Sequence, residues 1–225
     1  ECILKDLEKI IFALPKGRIL NKAHKLLLAS EIEPEKEFDN INSRKLRFVT
    51  NDKEIDLIRI RSSDVPTFVA FGAADIGIAG QDDLLEFDYP ELYVPLDLNI
   101  GKCRLVIAQP RDLISSASPD TWSHLRVATK YPNLTKKYFE KKGVQAECIK
   151  LNGAIELAPS LGLSERIVDI VETGSTLEAN GLVEVEKIAD ISSCLIVNRT
   201  SLKTNPEKIN YLINRFTEAV HGKAA

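Results

Sequence analysis

The chain predicts an α/β protein, on three observations. Strand-like and helical patterns alternate along its whole length, as sheets covered by helices require. Several strand-like runs are apolar without interruption, the pattern of strands buried on both faces. A chain of 225 residues with 44% hydrophobic content can bury a substantial core, as one large domain or two small ones.

Residues 10–14 form an apolar run closed by Pro15 and Gly17, and a helical pattern over 18–29 puts Leu20, Ala23 and Leu27 on one side. Residues 46–49 and 55–60 read as strands. Asp64 can cap a helix that carries Pro66 in its first turn and stops at Gly72. A strand over 75–78 and a short helix over 81–87 follow. Further strands are expected at 93–98, 103–108, 127–129, 146–151 and 167–171, with helices at 134–142 and 154–161. Near Ile100 and Gly101 the chain passes into a second domain. The last helix, 206–220, lines up Ile209, Leu212, Ile213, Phe216 and Val220 in one stripe that must pack on a core.

A formal charge of −3 and a pI near 5.8 give no general basic footprint, which argues against a nucleic-acid partner. No apolar run approaches the length of a membrane span, and residues 1–5 lack the order of a signal peptide, so the cytoplasm is the expected compartment. Cys2, Cys103, Cys148 and Cys194 form no C-x-x-C pair and read as reduced thiols without a metal or catalytic role. His24, His124 and His221 stand in polar or helical contexts, with no Ser-His-Asp or Cys-His set in view.

Residues 167–177 are the most informative stretch. An apolar strand end carries Asp169 and Glu172 into a small-residue turn that opens a helix. Gly174 lets the backbone fold closely around an anion, and Thr173, Ser175 and Thr176 add hydroxyls to the free N–H groups of a helix start. Ser175 with Glu178 fits a capping box. The two acids would repel a bare phosphate, so they need a ribose diol or a magnesium ion to hold. Taken alone, this turn also reads as an ordinary capped strand-to-helix junction.

Four more segments stand in order with it: residues 13–18 (ALPKGR), 61–67 (RSSDVPT), 72–82 (GAADIGIAGQD) and 153–159 (GAIELAP). Together they resemble the ATP phosphoribosyltransferase family, from about residue 10 to the C-terminus. The resemblance implies two α/β lobes like those of periplasmic binding proteins, with the active site in the cleft between them. Residues 1–100 with 185–225 would form the first lobe and 101–184 the second.

It also implies a reaction: the phosphoribosyl group of 5-phosphoribosyl-1-pyrophosphate moves to N1 of ATP and pyrophosphate leaves, the first step of histidine biosynthesis. Thr173, Gly174, Ser175, Thr176 and Leu177 would hold the 5-phosphate. Asp169 and Glu172 would face the ribose hydroxyls or Mg2+, directly or through water. Lys16, Gly17, Arg18, Arg61, Asp75, Gly77, Gly80 and Glu156 would serve ATP, with Lys16 and Arg61 joining the two acids as the catalytic set. Asp82 borders that group, Tyr131 is either a cleft residue or a packing aromatic, and Arg44 reads best as a solvated charge. A chain ending at Ala225 corresponds to the short form of the family, expected as a homodimer that assembles with a regulatory subunit similar to histidyl-tRNA synthetase. Two other readings stay open: a two-lobed ligand-binding module without catalysis, and a Rossmann-like phosphoribosyltransferase with another base as acceptor.

Overall fold

The structure, a computed structural model, describes residues 9–40, 42–115 and 124–222. They divide into two compact units, one running up to Gly101 and resuming at Ser192, the other spanning Lys102–Ile191.

The first unit is built on β1 (Ile10–Pro15), α1 (Leu20–Ala29), β2 (Arg47–Val49), β3 (Ile55–Ile60), α2 (Val65–Ala70), β4 (Ile76–Gly80), α3 (Gln81–Phe87) and β5 (Leu92–Asp97). After the excursion into the other unit it is completed by β11 (Ser193–Asn198), α6 (Arg199–Thr204) and α7 (Pro206–His221). Its six strands are ordered β2-β3-β1-β4-β11-β5. β3, β1 and β4 run parallel, while β11 pairs antiparallel with both β4 and β5. The central position of β1 explains its unbroken apolar run, because Phe12 and Leu14 face one layer and Ala13 the other, all fully buried. The stripe of α7 meets that first layer: Phe216 lies 5.4 Å from Phe12, ring to ring, and Ile209 and Leu212 are buried beside them. On the opposite face Val65 and Val69 of α2 pack so closely on Gly77 that a Cβ there would sit 2.9 and 3.0 Å from their methyls. Pro95 lies in β5, an edge strand where the missing N–H costs no ladder bond.

The second unit comprises β6 (Cys103–Pro110), β7 (His124–Thr129), α4 (Pro132–Lys141), β8 (Gln145–Lys150), β9 (Arg166–Val171), α5 (Ser175–Ala179) and β10 (Leu182–Ile191). Its sheet is ordered β10-β6-β9-β7-β8, parallel among β9, β7 and β8 and antiparallel at β6 and β10. One face carries Leu105, Ile107, Val127 and Val168 against α4; the other carries Val106, Ala108 and Ile167 against Ile155 and Leu177.

Three expectations change. The chain rejoins the first unit at Ser192 rather than residue 185, because β10 is laddered along β6 up to the Ile191–Cys103 pair. The helix expected over 154–161 is only a 3-10 turn, Ile155–Leu157. Ala154 enters it in a left-handed conformation, Leu157 and Leu161 are exposed, and Pro159 and Gly162 leave no apolar stripe to pack. Asp64 makes no side-chain cap to α2; its Oδ1 accepts from the Ser63 hydroxyl instead, after a 3-10 turn at Ser62–Asp64. Among the described residues no helix is long and apolar enough to cross a membrane.

Candidate functional site

In the second unit β9 places Asp169 opposite Val106 of β6, half-buried, and the strand ends at Val171 opposite Arg104. The chain then turns through Glu172, Thr173 and Gly174 into α5, whose Leu177 is buried in the sheet's core layer and anchors the turn. Gly174 has φ +91° and ψ −5°, a left-handed conformation that L side chains adopt only under strain. The expected capping box does not form. Gly174 itself is the N-cap residue and its carbonyl accepts from the Glu178 N–H at 3.1 Å, so Ser175 is already helical. Its N–H points back to Thr173 Oγ1 at 3.4 Å, and the two hydroxyls lie 3.0 Å apart. Hydroxyls and backbone donors are thus gathered on an exposed turn, and the acids flank it.

A cation that the sequence did not flag lies against this turn. Arg104, at the start of β6, donates from Nη1 to the Glu172 carbonyl at 3.3 Å. Its Nε and Nη2 both meet Glu184 Oε2 at 2.8 Å, and the hydrogen bond to Glu184 pushes the guanidinium pKa up from its ordinary value. Nη2 would lie 3.8 Å from a Cβ at Gly174. The contact joins residues 68 positions apart through the β6–β9 ladder, so no local motif could announce it.

The 3-10 turn that carries Glu156 follows β8 and buries Ile155 in the same layer as Val171 and Leu177. Glu156, half-buried, therefore belongs with the Gly174 turn in the second unit, whereas the other residues expected to serve ATP belong to the first.

In the first unit the parallel strands β1 and β3 end side by side, Pro15 opposite Ile60, and the Lys16 N–H donates to the Ile60 carbonyl at 2.7 Å. Lys16, Gly17 and Arg18 leave β1 at the edge where Arg61 leaves β3, the end of a parallel sheet at which loops present ligand-binding groups. Gly17 has φ +96°, and nothing lies within 4 Å of where its Cβ would be. Lys16 and Arg61 are exposed, and among the described residues neither side chain has an acidic partner.

Three residues expected to serve ATP also have structural partners. Asp75 lies at the opposite end of the sheet, before β4, where Oδ2 accepts from the Ile11 N–H at 2.7 Å and Oδ1 from the Ser201 hydroxyl at 2.6 Å. Both carboxylate oxygens are used to fasten β1 and α6. Gly77 is glycine because α2 needs its space, and Gly80 because the Asp82 carboxylate folds over it, 2.2 Å from a notional Cβ. Among the described residues no cluster of three His, Cys, Asp or Glu could enclose a metal ion.

The remaining candidates are packing or surface groups. Tyr131 is 1% exposed inside the second core, His24 lies beside Asp39 and edge-on to Phe38, His221 is exposed at the end of α7, and Arg44 is exposed. Cys103, Cys148 and Cys194 are free thiols; burial, and after it the charge of Asp97, pushes the Cys194 thiol up to about 11. Cys2 and the side chain of His124 lie outside the described residues.

A family model described as ATP phosphoribosyltransferase matches residues 61–218. The ATP phosphoribosyltransferase of Paramagnetospirillum magneticum is 60% identical over 215 residues, covering 96% of this chain and 98% of that protein. That of Rhodospirillum rubrum is 57% identical over 218 residues, covering 97% and 96%. Among solved structures, the ATP phosphoribosyltransferase HisG:HisZ complex of Thermotoga maritima is similar with a TM-score of 0.80 and 34% identity, covering 95% of this chain and all of that one. The periplasmic aliphatic sulphonate binding protein SsuA of Escherichia coli shares the fold at 15% identity, with a TM-score of 0.56 over 94% of this chain.

Proposed function

The chain belongs to the ATP phosphoribosyltransferase family, and from that premise we propose how its own residues divide the reaction. As a family member it is a transferase that opens histidine biosynthesis, joining the phosphoribosyl group of 5-phosphoribosyl-1-pyrophosphate to N1 of ATP with loss of pyrophosphate. The Gly174 turn takes the 5-phosphate, through the backbone N–H groups of residues 174–177 and the hydroxyls of Thr173, Ser175 and Thr176. Asp169 and Glu172 face the ribose diol, and Glu156 stands by on the neighbouring turn. Lys16, Gly17, Arg18 and Arg61 serve the phosphates of ATP or of the leaving pyrophosphate. The observation that carries this reading is the left-handed Gly174 at an exposed strand-to-helix turn flanked by two acids.

The chemistry fits these groups. C1 of the ribosyl unit becomes cation-like as pyrophosphate departs, so positioning and charge stabilisation supply the catalysis and no covalent nucleophile is required. A diol held by Asp169 and Glu172 keeps two negative charges beside the developing positive one. Lys16 and Arg61, exposed and without acidic partners among the described residues, can meet the charge that builds on the leaving group. The absence of a three-ligand cage among the described residues fits magnesium arriving with the pyrophosphate substrate and touching the protein through a single carboxylate or a water, the mode common for that ion.

Pyrophosphate release from 5-phosphoribosyl-1-pyrophosphate, measured with ATP and separately with free purine and pyrimidine bases, tests the reading. Release with ATP alone is expected; release with a free base and not ATP would replace it by another acceptor, and binding without release would make the chain a ligand-binding module. Because the similar Thermotoga chain was solved in a HisG:HisZ complex, we extend the proposal to a HisZ-like regulatory partner on a homodimer of this chain. Size-exclusion chromatography with light scattering should show a dimer. Histidine should inhibit only once that partner is added, and inhibition of the chain alone would contradict this arrangement.

A further inference from the structure

We infer that Arg104 is the positioning residue of the Gly174 turn and the fixed positive charge beside its anion, with Glu184 as the counter-charge that aims it; this rests on the turn being the 5-phosphate site. The donors of the turn are neutral, and the charges of Asp169 and Glu172 beside it oppose a dianionic phosphate. Arg104 supplies what is missing. Its guanidinium is a planar fork, and each arm has a separate task. Nη1 takes the Glu172 carbonyl at 3.3 Å, tying down the residue where β9 gives way to the turn. Nε and Nη2 share Glu184 Oε2 at 2.8 Å, which fixes the plane of the group from β10. Nη2 ends beside Gly174, 3.8 Å from the space a Cβ would fill.

A Cβ at Gly174 would stand in ordinary contact with Nη2, so the left-handed backbone rather than lack of space calls for glycine, and the guanidinium lies directly against the turn. Arg104 and Glu184 side chains are 33% and 29% exposed, open enough for an incoming anion to share the cation. Because the pair joins β6 to β10, and the carbonyl contact joins β6 to the end of β9, three strands set the position of one charge. A lysine in place of Arg104 keeps the charge but lacks the planar fork that bonds Glu172 and Glu184 in fixed directions.

The test is steady-state pyrophosphate release in Arg104→Gln, Arg104→Lys, Glu184→Gln and, as the control on the turn itself, Thr176→Ala, with melting temperatures recorded for each. Arg104→Gln should raise KM for 5-phosphoribosyl-1-pyrophosphate about tenfold or more, the loss expected for a charged hydrogen-bonding partner, and leave KM for ATP within about twofold. Arg104→Lys should recover part of the loss. Glu184→Gln removes a charge that competes with the phosphate but keeps an amide oxygen that can accept from Nε and Nη2 and so go on aiming the fork, so KM for the ribosyl substrate should fall or stay level.

A rise in that KM in Glu184→Gln equal to the rise in Arg104→Gln would mean the pair is a strut holding β6 to β10, and would overturn the inference. So would an unchanged KM in Arg104→Gln alongside a raised one in Thr176→Ala, an outcome that leaves the 5-phosphate reading standing. If neither Arg104→Gln nor Thr176→Ala moved KM, the reading of the turn would fall and the inference with it.

Discussion

Replacing Gly174 by alanine separates the turn's shape from its space. A Cβ at this position would meet only Arg104 Nη2 at 3.8 Å and Val171 Cγ1 at 3.9 Å, both ordinary contact distances. Steric overlap therefore contributes nothing, and the cost is the backbone conformation at φ +91°. An L residue in the left-handed region costs about 1–2 kcal/mol. If alanine accepts that conformation, the protein loses about that much stability, and the melting temperature falls by roughly 2–8 °C at about 2–4 °C per kcal/mol for a chain of this size. If the turn relaxes instead, the N–H groups of residues 174–177 swing away from a common focus, and KM for 5-phosphoribosyl-1-pyrophosphate rises by about 5- to 30-fold, the same free energy read as binding. Valine, β-branched, should push the outcome further toward relaxation. Thermal melting with and without the ribosyl substrate, together with pyrophosphate release, reads both arms. A melting temperature and a KM that both match the parent would refute the reasoning, since the strain would then have gone nowhere.

Substituting Asp169 and Glu172 by their amides should each slow turnover by an amount worth about 2–4 kcal/mol, the size of losing one electrostatic contact in a transition state; normal turnover across a magnesium titration would assign them to structure. Asp75→Asn should lower the melting temperature, because one of two bonded carboxylate oxygens becomes an amide facing either the Ile11 N–H or the Ser201 hydroxyl, and leave KM for ATP unchanged; a raised KM would return Asp75 to the nucleotide site. Cys194, with its thiol pushed up to about 11 from an unfolded value of 9.0, makes folding favourable up to about pH 9 and progressively less so toward pH 11, as the unfolded thiol ionises first. Denaturant midpoints across that range should drop less in Cys194→Ala than in the parent, and iodoacetamide at pH 8 should leave native Cys194 unmodified; rapid labelling would contradict its burial.

The strands were legible wherever burial on both faces made the run continuous, as in β1, and α7 was legible from its stripe. The turn at Gly174 was legible too, because the need for a left-handed residue and for hydroxyls is local to a few positions. What was not legible was whatever depends on partners outside the local segment. Asp75 and Gly77 carry residue types suited to a ligand, but the sequence did not show their structural neighbours, Ile11 and Ser201 for the acid and the α2 residues Val65 and Val69 for the glycine. Arg104 was hidden for the converse reason. It sits in a strand where an arginine looks like any surface charge, and only the β6–β9 register brings it to the turn. The absent helix after Gly153 shows the limit of spacing arguments, since Leu157 and Leu161 match a helical period but have no layer to enter.

The central claim is that residues 173–177 grip the 5-phosphate of the ribosyl substrate, and amide hydrogen exchange reads those N–H groups directly. Exchange in peptides covering residues 173–180 should slow markedly with 5-phosphoribosyl-1-pyrophosphate and Mg2+, and to a lesser extent with ribose 5-phosphate, which carries that phosphate and no pyrophosphate, while ATP alone should leave them unchanged. Protection of these peptides by ATP alone, or an unchanged exchange rate in saturating ribosyl substrate, would contradict the account.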